Sequence, residues 1–170
     1  ASSGDYKVPF TTGEGEIVLG VQFKPLERVV MADNTAFKPP LGAYRVLVSK
    51  CEQLKNLETI GTIDPYVVVR TGRSGTEYAR TKVSDSNLNP KFNEVFYVPV
   101  RVKGQPLQLD CMDVEKLEDD RIVGSFTVDV RRFFGSGYDA QKEGAAAQVV
   151  RGQLSSKGKP SGYIYYKVVY

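Results

Sequence analysis

Residues 87–100 read NLNPKFNEVFYVPV, a turn signal followed by a run that alternates in polarity. Side chains of a strand alternate between its two faces, so Phe92, Phe96, Val98 and Val100 share one face. Asn-Pro before the run favours a turn, because proline fixes its own φ and keeps the preceding residue extended. This stretch predicts a β-strand with one buried face.

Similar short runs, rich in Val, Ile, Tyr and Phe, recur on both sides of this strand and are separated by turns that contain Gly or Pro. The further strand candidates are residues 16–23, 43–50, 66–70, 77–83, 107–112, 122–130 and 163–170. Helical signals are confined to one turn at 130–134 and a short helix at 142–150, which Gly144 weakens. The pattern predicts an antiparallel sandwich or barrel, with no βαβ crossover.

The composition of the 170 residues excludes several classes of function. The chain contains no His, which excludes a Ser-His-Asp triad, an HExxH zinc site and a histidine pH switch. No nucleophile–base pairing or phosphate loop is visible, so we predict no enzymatic activity. The net charge of +3 is too small to predict a nucleic-acid partner. No apolar run approaches the roughly 18–20 residues that span a bilayer.

The N-terminal part of the chain differs in character from the rest. Residues 1–14 are mostly small and polar and lack the hydrophobic periodicity of a helix or a strand, which predicts a tail or linker. They also lack the features of a signal peptide. A chain that begins with Ala rather than Met is expected to be a fragment or a processed protein. We therefore predict an extension at 1–40, with one strand at 15–24 that is a candidate for the end of a preceding domain, and a folded domain at 41–170.

The two cysteines and two acidic loops are the remaining chemical features. Cys51 and Cys111 form no CxxC or zinc spacing, and predict two reduced, partly buried thiols. The loops at residues 54–66 and 113–124 are rich in carboxylates, which are the ligands that calcium prefers. From spacing alone these loops predict either a cation site or a solvated acidic surface.

Three motifs in order along the chain carry a resemblance to a known family. They are residues 61–67 (GTIDPYV), 87–96 (NLNPKFNEVF) and 109–124, which ends in Val-Gly. Together they resemble a C2 domain over roughly residues 42–130. The amino-acid sequence of residues 56–66 and 109–115 is most similar to that of the tricalbins, the fungal extended synaptotagmins.

The resemblance implies an eight-stranded antiparallel β-sandwich, a fold that occurs in two circularly permuted topologies. Residues 15–24 and 162–170 are both candidates for the strand that distinguishes the two. We predict that residues 162–170 occupy this position as the last strand. The segment that connects them to the rest of the domain, 155–161, is shorter than the segment 26–41 that follows the other candidate, so its closure costs less entropy. Extended synaptotagmins also use that topology. The N-terminal strand would then be the tail of a preceding domain, or it would pair along a sheet edge or with a second molecule. Pairing with a second molecule would give a homodimer through residues 15–24.

The resemblance also implies a calcium site built from five aspartate positions. The matching residues here are Glu58, Asp64, Asp113, Glu115 and Arg121. The fixed positive charge of Arg121 repels a cation and supplies a built-in counter-ion for the carboxylates. Asp119 and Asp120 lie beside it in the sequence, and a loop shift would bring one of them into the cluster. We predict that no cofactor is required, with calcium binding as the alternative.

Without calcium, attraction to a membrane must come from basic side chains. The family resemblance implies a basic concave face, whose candidates here are Arg70, Arg73, Arg80, Lys82 and Lys91. Each cation near an anionic leaflet contributes on the order of 1 kcal/mol. The alternative is that these are ordinary solvated charges. Leu57, Ile60 and Leu117 are candidate loop tips that dip into lipid.

The function that the resemblance implies is that of a non-enzymatic module that binds anionic phospholipid membranes without calcium. Its parent would be a tether anchored in the endoplasmic reticulum that reaches the plasma membrane, with neighbouring C2 domains and a separate lipid-transfer domain. The module would then act on the cytosolic face. A calcium-dependent phospholipid sensor and a protein-interaction or spacer module are the alternatives.

Overall fold

The computed structural model describes most of the chain beyond residue 39 and two short segments before it. The described residues are 3–9, 16–22, 40–71, 75–115, 119–139, 142 and 146–170. The chain divides into two compact units, Ala1–Pro39 and Pro40–Tyr170. None of the helices in the described residues has the length and apolar character needed to cross a bilayer.

The first unit contains a two-stranded antiparallel pair. Strand β1 (Ser3–Pro9) lies against β2 (Glu16–Gln22), with Ser3 opposite Gln22 and Pro9 opposite Glu16. The strand expected at 15–24 is therefore present, and its partner β1 lies within the segment 1–14 for which the sequence predicts a tail or linker and no strand. Residues 3–9 (SGDYKVP) carry too little apolar periodicity to indicate a strand, and their pairing depends on the backbone of β2.

Besides the helical residues Lys142 and Ala146, the second unit contains eight strands and one short 3₁₀ helix in its described residues. They are β3 (Gly42–Glu52), β4 (Pro65–Thr71), β5 (Thr76–Arg80), β6 (Lys91–Val100), β7 (Leu107–Asp113), β8 (Arg121–Val128), the 3₁₀ helix Arg131–Phe134, β9 (Val150–Ser156) and β10 (Lys159–Val169). The strand order is β5-β4-β7-β8-β9-β10-β3-β6, and every pairing is antiparallel. In the described residues β8 and β9 pair at Ser125 and Ser155 alone. The assembly is thus two four-stranded sheets, which confirms the predicted all-β, eight-stranded antiparallel sandwich.

One core fills the space between the two sheets. Alternate residues of β3, β7 and β10 are buried in it, as strand periodicity requires. Cys51 and Cys111 are both fully buried with free thiols. A hydrogen bond with Cys51, together with burial, raises the pKa of the Cys111 thiol well above its usual value. Both thiols therefore act as apolar core groups, and the thiol of Cys111 stays protonated.

The C-terminal strand fills the position that distinguishes the two topologies. Strand β10 lies between β9 and β3, with Tyr163 opposite Glu52 and Val169 opposite Arg45. This confirms the prediction that residues 162–170 form the last strand of the sandwich.

Strand β9 was missed by the sequence prediction, which placed a short helix at 142–150. Lys142 and Ala146 are helical, but the chain becomes a strand at Val150. The turn from β9 to β10 is Lys157-Gly158, with φ values of 51° and 74°. Two consecutive residues with positive φ are typical of a type I′ hairpin turn. The Ser-Lys-Gly-Lys sequence at 156–159 was the signal that could have identified this hairpin.

Substitution of Gly162 is expected to destabilise the sandwich. Its φ is +126°, and an added Cβ would lie 3.0 Å from the Gln53 carbonyl oxygen. Because both the conformation and the backbone contact oppose a side chain, we expect Gly162→Ala to lower the free energy of unfolding by more than about 1 kcal/mol. Urea unfolding measures this change.

The matched control is Gly135→Ala, where φ is −74° and the nearest atom to an added Cβ is 3.8 Å away. We expect that change to stay within about 0.5 kcal/mol. Equal effects of the two substitutions would contradict the assignment of strain to Gly162.

Candidate functional site

Arg121 lies between the loops that follow β3 and β7, and its guanidinium pairs with three carboxylates. Nη2 lies 2.9 Å from Asp113 Oδ2 and also contacts Glu58 Oε1, while Nε contacts Glu115 Oε1. Nη1 donates a hydrogen bond to the Leu57 carbonyl oxygen at 3.3 Å. One protein cation thereby joins the loop after β3 to the loop after β7.

The register of the sheet explains why these groups meet. Asp113 ends β7 and lies directly opposite Arg121, which begins β8. Partial desolvation would lower the pKa of Arg121, but the hydrogen bond to Asp113 and the charges of Glu115 and Glu58 raise it. Arg121 therefore remains charged at any physiological pH.

Asp64 lies in the same cleft but does not pair with Arg121 in the described structure. Its backbone amide donates to Asp113 Oδ1 at 2.9 Å, and its own Oδ1 accepts from the Ser86 amide at 2.6 Å. The cleft has a volume of about 530 Å³ and is open to solvent beside Ile60. The two aspartates are thus partly satisfied by protein donors.

The arrangement of charges does not fit a bound calcium ion. Carboxylate oxygens of Glu58, Asp113 and Glu115 lie within 4.8 Å of one another, close enough to share one cation. Calcium would need six to eight oxygen ligands. The Arg121 guanidinium is already paired with all three carboxylates, and it would repel a divalent ion at this distance.

Asp119 and Asp120 lie outside this carboxylate cluster. Asp120 Oδ2 accepts a hydrogen bond from the Tyr66 hydroxyl at 2.6 Å, and Oδ1 accepts from the Glu115 amide at 3.0 Å. These two hydrogen bonds lower the pKa of Asp120, whereas burial and the bond to Asp120 raise the pKa of Tyr66 to about 12. Asp120 therefore fixes the loop before β8, and Asp119 is exposed.

Arg70 and Arg80 lie on one face of the β5-β4-β7-β8 sheet, because Arg80 is opposite Val68 and Arg70 is two residues further along β4. Both guanidinium groups are paired within the protein. Arg70 Nε lies 2.7 Å from Oδ2 of Asp110, whose carboxylate is almost fully buried. Arg80 makes two hydrogen bonds to Glu77, of 2.6 and 3.0 Å, and its guanidinium lies over the Tyr66 ring at 5.1 Å.

The other candidates for the basic face are more dispersed. Lys82 is exposed just beyond β5, and its backbone amide donates to Glu94 Oε1 at 2.8 Å. Lys91 begins β6, at the edge of the other sheet, opposite Lys50. Arg73 lies outside the described residues. The described structure therefore places Arg70 and Arg80 on one sheet face, whereas the backbone of Lys82 contacts β6, the strand that Lys91 begins.

The predicted loop tips fall into different environments. Ile60 is 90% exposed at the rim of the Arg121 cleft. Leu57 is half-buried and packs against the core, so it does not extend from the loop as predicted. Leu117 lies outside the described residues. Ile60 is thus the tip whose side chain the structure places in solvent.

Comparison with known proteins identifies the fold and the family. The profile of the C2 domain matches residues 42–145. The chain belongs to the C2 domain family. It is 35% identical over 161 residues to Tricalbin-1 of Saccharomyces cerevisiae, an alignment that covers 94% of this chain and 13% of that protein. The resemblance to tricalbins is thus confirmed.

Two solved structures of C2 domains have the same fold. The first C2 domain of plant extended synaptotagmin 1 has a TM-score of 0.63 at 21% identity, covering 77% of this chain and 95% of that chain. The calcium-bound pair of C2 domains from extended synaptotagmin 2 has a TM-score of 0.61 at 24% identity, covering 78% and 46%.

Sequence reasoning missed the group that neutralises Arg70 in this C2 domain. Asp110 alternates with the core residues Leu109 and Cys111 along β7, which placed it on the outer face. Its contact with Arg70 depends on the register of β4 against β7, which pairs Val68 with Asp110. Alternation gives the face of a residue, but only the register gives its neighbour.

We expect Arg70→Ala to reduce the stability of the C2 domain strongly, because it leaves the buried Asp110 carboxylate without its cation. Loss of one partner of a buried pair costs about 3 kcal/mol. Arg80→Ala is the control, since its pair with Glu77 is exposed and contributes about 1 kcal/mol or less. Denaturant unfolding of both variants checks this, and equal losses would contradict a structural role for Arg70.

Proposed function

We propose that this chain is a non-enzymatic C2 module that binds anionic phospholipid membranes without requiring calcium. The observation that carries the proposal is the pairing of Arg121 with Glu58, Asp113 and Glu115 in a domain of the C2 family. In this arrangement a protein cation balances the acidic loops. The loops then hold their arrangement without an added ion.

Attraction to the membrane is assigned to exposed basic side chains and to one apolar tip. Lys82 is exposed beside Arg80, and each cation near an anionic surface contributes on the order of 1 kcal/mol. Arg80 adds less than a free cation because Glu77 is bound to it. Ile60 contributes a single exposed apolar side chain. The expected binding is weak and reversible, and gains strength when several such domains act together.

The proposed context follows from the tricalbin relatives. The chain spans 13% of the length of Tricalbin-1, so a longer parent with neighbouring C2 domains and a lipid-transfer domain is part of the proposal. We propose that this parent tethers the endoplasmic reticulum to the plasma membrane. The C2 domain would then act on the cytosolic face of these contact sites.

A calcium-dependent phospholipid sensor is the second candidate. The convergence of Glu58, Asp113 and Glu115 oxygens within 4.8 Å favours it, because removal of Arg121 would leave an acidic cluster. A protein-interaction or spacer module, including a homodimer through residues 15–24, is the third. In the described structure β2 already pairs with β1 of the same chain, which leaves this third candidate with less support.

Liposome co-sedimentation tests the proposal directly. We expect binding to anionic but not neutral vesicles, and equal binding with calcium and with a chelator. Lys82→Ala should weaken it roughly fivefold, the equivalent of about 1 kcal/mol. Lys103→Ala is the control, because Lys103 is an exposed lysine in the turn between β6 and β7. Binding only with calcium would favour the sensor, and no binding at all the spacer.

Calcium titration of Arg121→Asp tests the role of the protein cation. The substitution replaces a positive charge by a carboxylate beside Glu58, Asp113 and Glu115, so we expect calcium binding to appear or to strengthen. Isothermal titration calorimetry measures it. Arg101→Asp makes the same charge change at an exposed position after β6 and should have no effect. If Arg121→Asp binds no calcium, the counter-ion interpretation is wrong.

A further inference from the structure

A second cleft opens where the two sheets separate. In the described residues β8 and β9 pair at Ser125 and Ser155, and on the Arg121 side of that pair the edge of β8 faces the β9–β10 turn. The space between them has a volume of about 830 Å³, and Lys55 and Leu57 form part of its lining. Within the described residues the edge of β8 has no strand partner here, so its backbone groups are available to a ligand.

The cleft carries positive charge without opposing carboxylates. Lys55, Lys157 and Lys159 line it, all three are exposed, and none forms an ion pair within the described part of the chain. The described residues that line it include no Asp or Glu. Arg121 forms part of the wall but is engaged by its own three carboxylates. The lysines therefore attract anions rather than cations.

A buried hydroxyl in the cleft has no partner among the described residues. Ser161 is 3% exposed, and its Oγ makes no hydrogen bond in the described structure. It lies at the irregularity of β10 between Pro160 and Gly162. A Cβ added to Gly124 of β8 would lie 2.0 Å from this Oγ, so the glycine leaves room for the hydroxyl. Buried polar groups are nearly always satisfied, and an orphan donor in a cationic cleft indicates a ligand that accepts hydrogen bonds.

We propose that this cleft binds the phosphate group of a phosphomonoester. Lys55 and Lys159 would supply the charge, and Ser161 Oγ would donate a hydrogen bond to a phosphate oxygen. The backbone amide of Lys55 donates to the Ser161 carbonyl oxygen at 3.0 Å, which holds the lysine-bearing loop beside the hydroxyl. A phosphorylated lipid headgroup and a soluble phosphate compound share this chemistry. If the ligand is a lipid headgroup, the inference rests on the proposed membrane function and deepens it.

The first test uses soluble probes and the full chain. We expect inorganic phosphate and inositol trisphosphate to shift the amide NMR signals of Lys55 and Ser161. The double variant Lys55→Glu/Lys159→Glu should weaken binding of inositol trisphosphate at least roughly tenfold, because two attractive charges become repulsive. The control Lys103→Glu/Lys142→Glu changes the net charge equally at exposed positions outside the cleft and should leave it unchanged. Equal losses in both double variants would overturn the proposal.

Ser161→Ala separates ligand binding from folding. The substitution removes a buried hydroxyl that has no partner in the described structure, so the thermal midpoint of the free protein should stay equal or rise. Affinity for inositol trisphosphate should fall about fivefold, the equivalent of one lost hydrogen bond. Unchanged affinity in this variant would contradict the role of Ser161.

Vesicles distinguish the two sources of the phosphate. Binding to phosphatidylcholine vesicles that contain phosphatidylinositol bisphosphate, lost in Lys55→Glu/Lys159→Glu, would identify a lipid headgroup. If inositol trisphosphate binds in the cleft but no anionic vesicle does, the phosphate site stands with a soluble ligand and the proposed membrane function fails. If vesicles bind while neither soluble probe shifts the cleft signals, the phosphate site is wrong and the membrane function stands.

Discussion

The pairing of Arg121 with Asp113 across β7 and β8 is the interaction on which the functional end of this C2 domain depends. The register of the two strands fixes these groups opposite each other, and Glu58 and Glu115 approach the same guanidinium from the loops. A nearly buried carboxylate such as Asp113 is stable only when it is paired. Arg121 therefore does in the protein what a metal ion would do in an acidic loop cluster.

The same side chain separates two clefts of opposite charge. On one side Arg121 faces the carboxylates and Asp64, and on the other it forms the wall of the lysine-lined cleft beside β9 and β10. The second cleft exists because the sandwich is nearly open between β8 and β9, which pair at Ser125 and Ser155 in the described residues. An open sheet edge beside unpaired lysines is a more suitable site for an anion than a face whose cations are already neutralised.

The concave face shows why a count of basic residues overestimates attraction to a membrane. Arg70 is bound to the buried Asp110, and Arg80 is bound to Glu77, so neither presents a free charge. An arginine that satisfies a buried carboxylate contributes mainly to the stability of the sheet. In the proposed function, membrane attraction by this domain is correspondingly weak and gains strength when several such domains act together.

The sequence alone determined the features that depend on local periodicity and motif spacing. The pattern of short apolar runs identified every strand from β2 to β8 and also β10. The motifs around Asp64, Asn89 and Asp113 indicated the C2 fold and the position of Arg121. The sequence did not identify β1 or β9, because neither strand carries a strong apolar period and both depend on a partner strand. Only the tertiary structure decided which charges are free. Arg70 contacts Asp110 because the register of β4 against β7 brings together two residues that are distant in the chain. The Ser161 hydroxyl lies at the irregularity of β10 and has no partner among the described residues.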